Sequence, residues 1–257
     1  MLWNRKRSIL PFETIEEKAL LHPKRVYWMV FNSEPTKKWA VLMHQYGGRS
    51  DYMVKQGKIY YELGFNLLFI DARSHGLSQI VRESNGVVYA RDMLEILQKE
   101  GIKDVFLHGV SFGGIAIVIA SKLLPDDIFL RGVVVEAIPK DVKNIYKHNL
   151  QYSPIPFFLY FWFPSYMHFR RNKFDWEGNS MDLLLSQLTC PVMVIHSGSD
   201  RLYDPNIHFE ANKNAIAQNS KSASWLAPGM AHSHMSEHPD WQNKVKEFVQ
   251  KYTNLNN

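Results

Sequence analysis

A chain of 257 residues, 46% apolar and 21% charged, can bury a full core, which sets aside a disordered or fibrous protein and suits one large globular domain over residues 1–257. The formal charge of +5 comes from scattered Lys and Arg with no long basic block interleaved with aromatics, so no nucleic-acid partner is expected. The single cysteine, Cys190, excludes an intrachain disulfide and a cysteine metal cluster, and its place before Pro191 at the head of an apolar run reads as a small buried hydrophobe.

In chain order, MLWNRKRSILPFE has a basic triplet but no apolar stretch of signal-peptide length after it, and no lipidation motif is visible. A cytoplasmic location is expected. Beyond it, short apolar runs alternate with longer amphipathic segments. Residues 26–31 (VYWMVF), 39–43 (WAVLM), 66–70 (NLLFI), 105–107, 132–135 and 192–195 are rich in Val, Ile, Leu and aromatics, are bounded by turn residues, and read as strands. SASWLA at 222–227 is a weaker last candidate because its residues are small. Helical patterns fill 51–63, 87–98, 114–124 and 205–217, and a closing helix at 241–252 sets Val245, Phe248, Val249 and Tyr252 on one face.

Strands that are apolar throughout and alternate with helices imply a mostly parallel sheet covered on both faces, since parallel strands need crossovers. The first two runs, joined by the short polar stretch 32–38, read as an antiparallel hairpin at one edge. Residues 137–188 break the rhythm. That stretch is far longer than an ordinary crossover and dense in aromatics and proline, as functional lids and binding elements are. Its greasiest part, PIPFFLYFWFP at 154–164, is divided by proline and falls short of the roughly 20 apolar residues that span a bilayer.

In an open parallel sheet, ligands bind beyond the carboxyl ends of the strands. Those ends carry HQYGG (44–48), DARSHG (71–76), GVSFG (109–113), Glu136, HSGSD (196–200) and GMAH (229–232), a set containing a nucleophile, an acid and a base. GVSFG matches the G-x-S-x-G elbow, where a strand turns sharply into a helix and flanking glycines let the backbone crowd together. Five residues of this kind occur by chance, but here they follow the apolar VFLH and precede the helical GIAIVIASKLL. A serine hydroxyl is a poor nucleophile alone. It needs a base, and the base needs an orienting acid. Asp200, in a turn after PVMVIHSG, can hold one imidazole nitrogen, and His232, behind Pro228-Gly229, can present the other to Ser111. The order Ser, Asp, His is the one this elbow predicts.

Competing residues stand nearby. His234 is two positions beyond His232. Asp204 immediately precedes Pro205 and reads as the cap of the next helix. Glu136 ends a strand and is a third candidate acid. His44, His75, His108 and His196 sit beside turns and read as hydrogen-bonded structural residues. The oxyanion hole is expected from the backbone N–H of Phe112, directly after the nucleophile, and by position that of Tyr46.

Together these pieces resemble the α/β-hydrolase superfamily, in its esterase, monoacylglycerol lipase and serine aminopeptidase-like branch. HQYGG is similar to an H-G-x-G-G loop, DARSHGLS to a D-x-R-G-H-G-x-S turn, and GVSFGG, GSDRLYDP and GMAHSH to the elbow, acid and base segments. The likeness runs from about Trp39 to Tyr252. Gln45 and Ser74 depart from it, each standing where the family usually has glycine. The resemblance implies an α/β-hydrolase fold, and it makes 137–188 a small helical cap inserted after the sixth strand.

The expected chemistry is two-step acyl transfer through an acyl-enzyme on Ser111, with no metal or organic cofactor. The cap residues Phe157, Phe158, Phe161, Trp162 and Tyr166 form a wide aromatic surface that suits esters with apolar acyl groups. Small-molecule esters or lipids are thus the expected partners, and the basic pair Arg170-Arg171 beside this run fits transient membrane-surface contact. A serine aminopeptidase or amidase of the same fold, and a non-catalytic ligand-binding relative, are the alternatives. Because the base must be neutral, activity should fall below a pH of roughly 6–7. A rate profile that stays flat down to about pH 4 would contradict a histidine base.

Overall fold

The computed structural model describes residues 15–20, 26–31, 34, 37–81, 84–141 and 180–253. Eight strands form one sheet: β1 (Ile15–Leu20), β2 (Val26–Phe31), β3 (Trp39–Met43), β4 (Asn66–Asp71), β5 (Asp104–Val110), β6 (Phe129–Glu136), β7 (Val192–Ser197) and β8 (Ala223–Ala227). The order across the sheet is β1-β2-β4-β3-β5-β6-β7-β8. The β1–β2 and β2–β4 pairs are antiparallel and all others parallel. Among the described residues the helices are α1 (Val54–Glu62), α2 (Gly86–Lys99), α3 (Phe112–Leu123), α4 (Met181–Ser186), α5 (His208–Ala215) and α6 (Trp241–Thr253).

Side-chain alternation along the strands divides the core in two. Trp28, Val30, Val41, Leu68, Ile70, Val105 and Leu107 face one side, where they pack with α2, α3 and α4. Met29, Phe31, Leu42, Leu67, Phe69 and Phe106 face the other, with α1 and α6. A strand with a helical layer over each face has no solvent-facing row, which is why these strands read as unbroken apolar runs. Each fully buried large side chain contributes about 1.5–3 kcal/mol of transfer free energy.

One expectation is corrected. The runs 26–31 and 39–43 do not form a hairpin: β2 pairs with β4, and β3 lies at the centre between β4 and β5. The antiparallel partner of β2 at the edge is β1, whose IEEKAL carries three charges in six residues and lacks an apolar run. Charged side chains suit an edge strand, which would otherwise invite pairing with another chain. The buried β3, by contrast, is apolar in every position.

The stretch read as a cap is described only at its ends. Ala137 and Ile138 are buried, as are Met181, Leu184 and Leu185 of α4. The Met181 N–H donates to the Lys140 carbonyl at 2.7 Å, which joins the two ends to each other, and the Lys140 N–H donates to His208 Nδ1 of α5 at 3.1 Å. Residues 142–179, with Phe157, Phe158, Phe161, Trp162, Tyr166 and the Arg170-Arg171 pair, lie outside the described residues.

Two glycines set how the strand ends approach α3. A Cβ on Gly109 would lie 2.6 Å from the Gly113 carbonyl, and one on Gly113 would overlap the Met43 carbonyl at the end of β3. Both obstacles are backbone, which cannot rotate away. Gly113→Ala is therefore expected to destabilise the protein by about 2–4 kcal/mol, which lowers the thermal midpoint by roughly 5–15 °C. An unchanged midpoint in a melting experiment would show that α3 does not press on β3 in this way.

Candidate active site

The expected cluster lies at the carboxyl ends of the parallel strands. Ser111 joins β5 to α3 with φ 50° and ψ −111°, a strained conformation for a residue with a side chain. Its N–H donates to the Glu136 carbonyl at 2.7 Å, extending the β5–β6 ladder one residue past the strand, and its carbonyl accepts from Ile115 N–H at 3.0 Å to open the helix. The turn is thus fixed on both sides. Ser111 Oγ lies 3.0 Å from His232 Nε2, and His232 Nδ1 lies 2.7 Å from Asp200 Oδ2. Three residues from the ends of β5, β7 and β8 are brought into one hydrogen-bonded chain.

Asp200 is 5% exposed and heavily bonded. Its Oδ1 accepts from the N–H groups of Leu202 and Tyr203 at 2.8 and 3.0 Å, which winds the loop around the carboxylate. Its Oδ2 faces two histidines, His232 at 2.7 Å and His196 at 3.3 Å. Burial by itself would raise the carboxyl. The hydrogen bonds of His196 and His232, the His232 charge and the Tyr203 N–H outweigh it and hold Asp200 well below the usual carboxylate range. It remains an anion that accepts the His232 Nδ1–H, the tautomer that leaves Nε2 free to take a proton.

The competing residues are occupied elsewhere. His234 is exposed and pairs with Glu237 at 3.0 Å. Asp204 accepts from Asn206 N–H at 2.9 Å in the turn before α5; it does not cap that helix as expected, because α5 opens at His208 with Ile207 at its N-cap and no side-chain cap bond. Glu136 is 1% exposed, with Oε1 2.7 Å from His108 Nε2 and Oε2 accepting from Trp241 Nε1 at 3.2 Å. The Tyr60 hydroxyl meets the other nitrogen of His108 at 3.2 Å. This is a second histidine–carboxylate pair, closed by α1 and α6 on one face of the sheet, below the elbow.

His44 organises the HQYGG loop. Its Nε2 accepts from Ala72 N–H at 3.0 Å, which leaves Nδ1 protonated to donate to the Gln45 carbonyl at 2.7 Å. Gly48 N–H donates to the same carbonyl at 3.0 Å. The loop brings the Tyr46 ring, which is 68% exposed, to 5.8 Å from the Phe112 ring, so both residues expected to form the oxyanion hole lie side by side at the mouth of the site. Phe112 stacks on Tyr89 at 5.4 Å and on His75 at 5.9 Å. Ser74, where the resembled family usually has glycine, takes φ 66°, and its hydroxyl both donates to the Val81 carbonyl at 2.9 Å and accepts from Val81 N–H at 3.0 Å. These bonds offset the strain of a non-glycine residue in that turn.

Sequence reading missed two residues here. His196, read as purely structural, bonds to Asp200. Tyr203 stands with its ring centroid 4.9 Å from that of His232 and its planes at 88°. The available signal was spacing: an aspartate that accepts backbone N–H groups two and three positions on curls its own loop back over the carboxylate. Among the described residues, no group of three or more His, Cys, Asp or Glu is arranged to hold a metal ion, and no helix is long and apolar enough to cross a membrane.

Neither a protein-family model nor a curated protein matches the sequence. Solved structures do match. An esterase from Pyrococcus furiosus has a TM-score of 0.71 at 16% identity, covering 94% of this chain and 91% of its own. A protein from Butyrivibrio proteoclasticus with ferulic acid bound has 0.71 at 15% identity, over 90% of this chain and 96% of its own. A proline iminopeptidase from Mycobacterium smegmatis has 0.66 at 14% identity, over 93% and 99%. The chain has the α/β-hydrolase fold, as these proteins do. At such identities the likeness carries architecture, and chemistry has to be argued from side chains.

Burial pushes the His44 imidazole down to about 4, against the attraction of Asp71, which would raise it. The unfolded chain takes up this proton near the ordinary imidazole value of 6.5, whereas the folded protein resists it until about 4. Stability is therefore complete above the higher value and lost as pH falls through that window, by an amount on the order of 3 kcal/mol. The thermal midpoint should drop by roughly 5–10 °C between about pH 7 and pH 4. A midpoint independent of pH over this range would show that His44 is not buried as a neutral ring.

Proposed function

We propose that the protein is a serine hydrolase that cleaves carboxylic esters with apolar acyl groups, using Ser111 as nucleophile, His232 as base and Asp200 as orienting acid. The observation that carries this reading is the unbroken sequence of contacts from Ser111 Oγ to His232 Nε2 at 3.0 Å and from His232 Nδ1 to Asp200 Oδ2 at 2.7 Å. As Oγ attacks the ester carbonyl, its proton passes to Nε2 and the carbonyl electron pair moves onto oxygen. The N–H groups of Phe112 and Tyr46 receive that oxyanion, with the positive end of α3 behind the first of them. Collapse re-forms the carbonyl and expels the alcohol, which takes the proton from His232. Water then adds to the acyl-enzyme by the same route and releases the acid. Asp200 remains charged throughout and steadies the transient imidazolium.

Esters are favoured as substrates by the apolar character of what surrounds the nucleophile. Phe112 and the exposed Tyr46 flank it, and the aromatic residues Phe157, Phe158, Phe161, Trp162 and Tyr166 belong to the segment proposed as a cap. Esterases among the proteins of similar fold are consistent with this choice. A lipid presented at a membrane surface is one such substrate, and Arg170-Arg171 would assist that contact.

A fluorophosphonate should label the wild-type protein, and Ser111→Ala should escape labelling. p-Nitrophenyl esters from acetate to palmitate should be turned over with a preference for the longer acyl chains. Absence of both labelling and turnover would instead favour a ligand-binding protein, and exclusive cleavage of aminoacyl amides would favour an aminopeptidase. The two carboxylates can also be told apart. Asp200→Asn should lower kcat by about 10⁴-fold because it disturbs the histidine tautomer, whereas Glu136→Gln should leave kcat within about tenfold. The reverse ranking would move the acid role to Glu136.

A further inference from the structure

We propose that Ser197 is a positioning residue for the base, its hydroxyl tying the loop that carries His232 to the loop that carries Asp200. This rests on the reading of Ser111 as nucleophile, with His232 as its base and Asp200 as the orienting acid. Ser197 is the last residue of β7 and pairs in register with Ala227, the last residue of β8, so the two loops leave the sheet side by side. The Gly198 N–H donates to the Ala227 carbonyl at 2.8 Å and extends the ladder one residue past β7. Farther out a side chain takes over. The fully buried Ser197 hydroxyl donates to the carbonyl of Met230, two residues before His232, and accepts from the N–H of Ser199, one residue before Asp200, at 3.1 Å. Its single proton serves the base loop and a lone pair serves the acid loop.

The two loops differ in how firmly they are held. On the acid side, the Asp200 N–H donates to the Ser197 carbonyl at 3.4 Å, and Oδ1 accepts from the Leu202 and Tyr203 N–H groups. On the base side, Pro228, Gly229 and Ala231 are exposed. Among the described residues, the bond to the Met230 carbonyl is the one hydrogen bond that joins the backbone of residues 228–232 to the main body. Directly after His232, Ser233 takes φ 60°, a strained conformation that persists only where its surroundings impose it. The Ser197 hydroxyl therefore passes the position of the rigid acid loop to the base loop. It keeps the 2.7 Å contact between His232 Nδ1 and Asp200 Oδ2 in line with the 3.0 Å contact between His232 Nε2 and Ser111 Oγ. A displacement of about 1 Å in a reacting group, caused by a change away from the chemistry, can cost about a hundredfold in rate.

A buried hydroxyl also needs partners merely to fold, so the test has to separate the two roles. Ser197→Ala removes the oxygen and adds no bulk. The endpoint of fluorophosphonate labelling counts competent sites, and its rate reports their reactivity. In Ser197→Ala the endpoint should stay near one label per chain, while the labelling rate and kcat for a p-nitrophenyl ester fall by about tenfold to a hundredfold. KM should stay within about twofold. Because the hydroxyl acts through the contact between Asp200 and His232, the same substitution made on Asp200→Asn should change the labelling rate by less than about twofold, a coupling that independent structural damage does not produce. With wild-type protein that labels, three results would each overturn this proposal and leave the nucleophile reading standing. These are a loss in Ser197→Ala smaller than about tenfold, a loss of about twofold or more on Asp200→Asn, and an endpoint below about half a label per chain with an unchanged rate per labelled site. A wild-type protein that does not label at all would overturn both.

Discussion

Ser111 holds a backbone conformation, φ 50° and ψ −111°, that costs about 1–3 kcal/mol and persists only because its surroundings leave the chain no alternative. Gly109 and Gly113 omit the atoms that would collide, the Glu136 carbonyl takes the serine N–H, and the first turn of α3 takes its carbonyl. Everything else about the site is arranged around the point where that hydroxyl emerges. The other non-glycine residues of positive φ among those described are Ser74, Ala137 and Ser233, and they too follow the carboxyl ends of strands. Local strain is thus gathered at the end of the sheet where the chemistry is proposed, and the two buried cores supply the rigidity that sustains it.

Two carboxylates near the elbow have been given different fates by their neighbours. Glu136 is enclosed with His108, Gln56 and Trp241 on the face covered by α1 and α6, so its hydrogen-bonding capacity is spent below the nucleophile. Asp200 lies at the strand ends, where Leu202 and Tyr203 occupy one oxygen and His196 and His232 share the other. A carboxylate held by this many donors stays ionised and cannot drift, and those two properties are what an orienting acid requires. The loop that creates this environment also sets the Tyr203 ring edge-on to His232.

Much of this arrangement was legible in the sequence, for identifiable reasons. The central strands are buried on both faces, so their apolar runs were unmistakable, and the residues following each run marked the site because parallel strands point their carboxyl ends the same way. Ser111, Asp200 and His232 were grouped by spacing and order, and the structure brings the three side chains into contact. Pairing was not legible: nothing in VYWMVF and WAVLM says that β4 lies between them, because register depends on partners distant in the chain. The edge strand β1 was invisible because edges carry charge where core strands carry apolar residues. The particular contacts of His196 and Tyr203 were not legible, because they arise only when the loop closes over Asp200.

The central claim is that Ser111 forms a covalent acyl intermediate, and mass spectrometry of the intact protein during turnover of a slow p-nitrophenyl ester tests it most directly. The account predicts a population heavier by one acyl group, with the added mass confined on digestion to the peptide that contains Ser111. Steady hydrolysis with no adduct when the reaction is quenched in acid, or an adduct on any other residue, would contradict it.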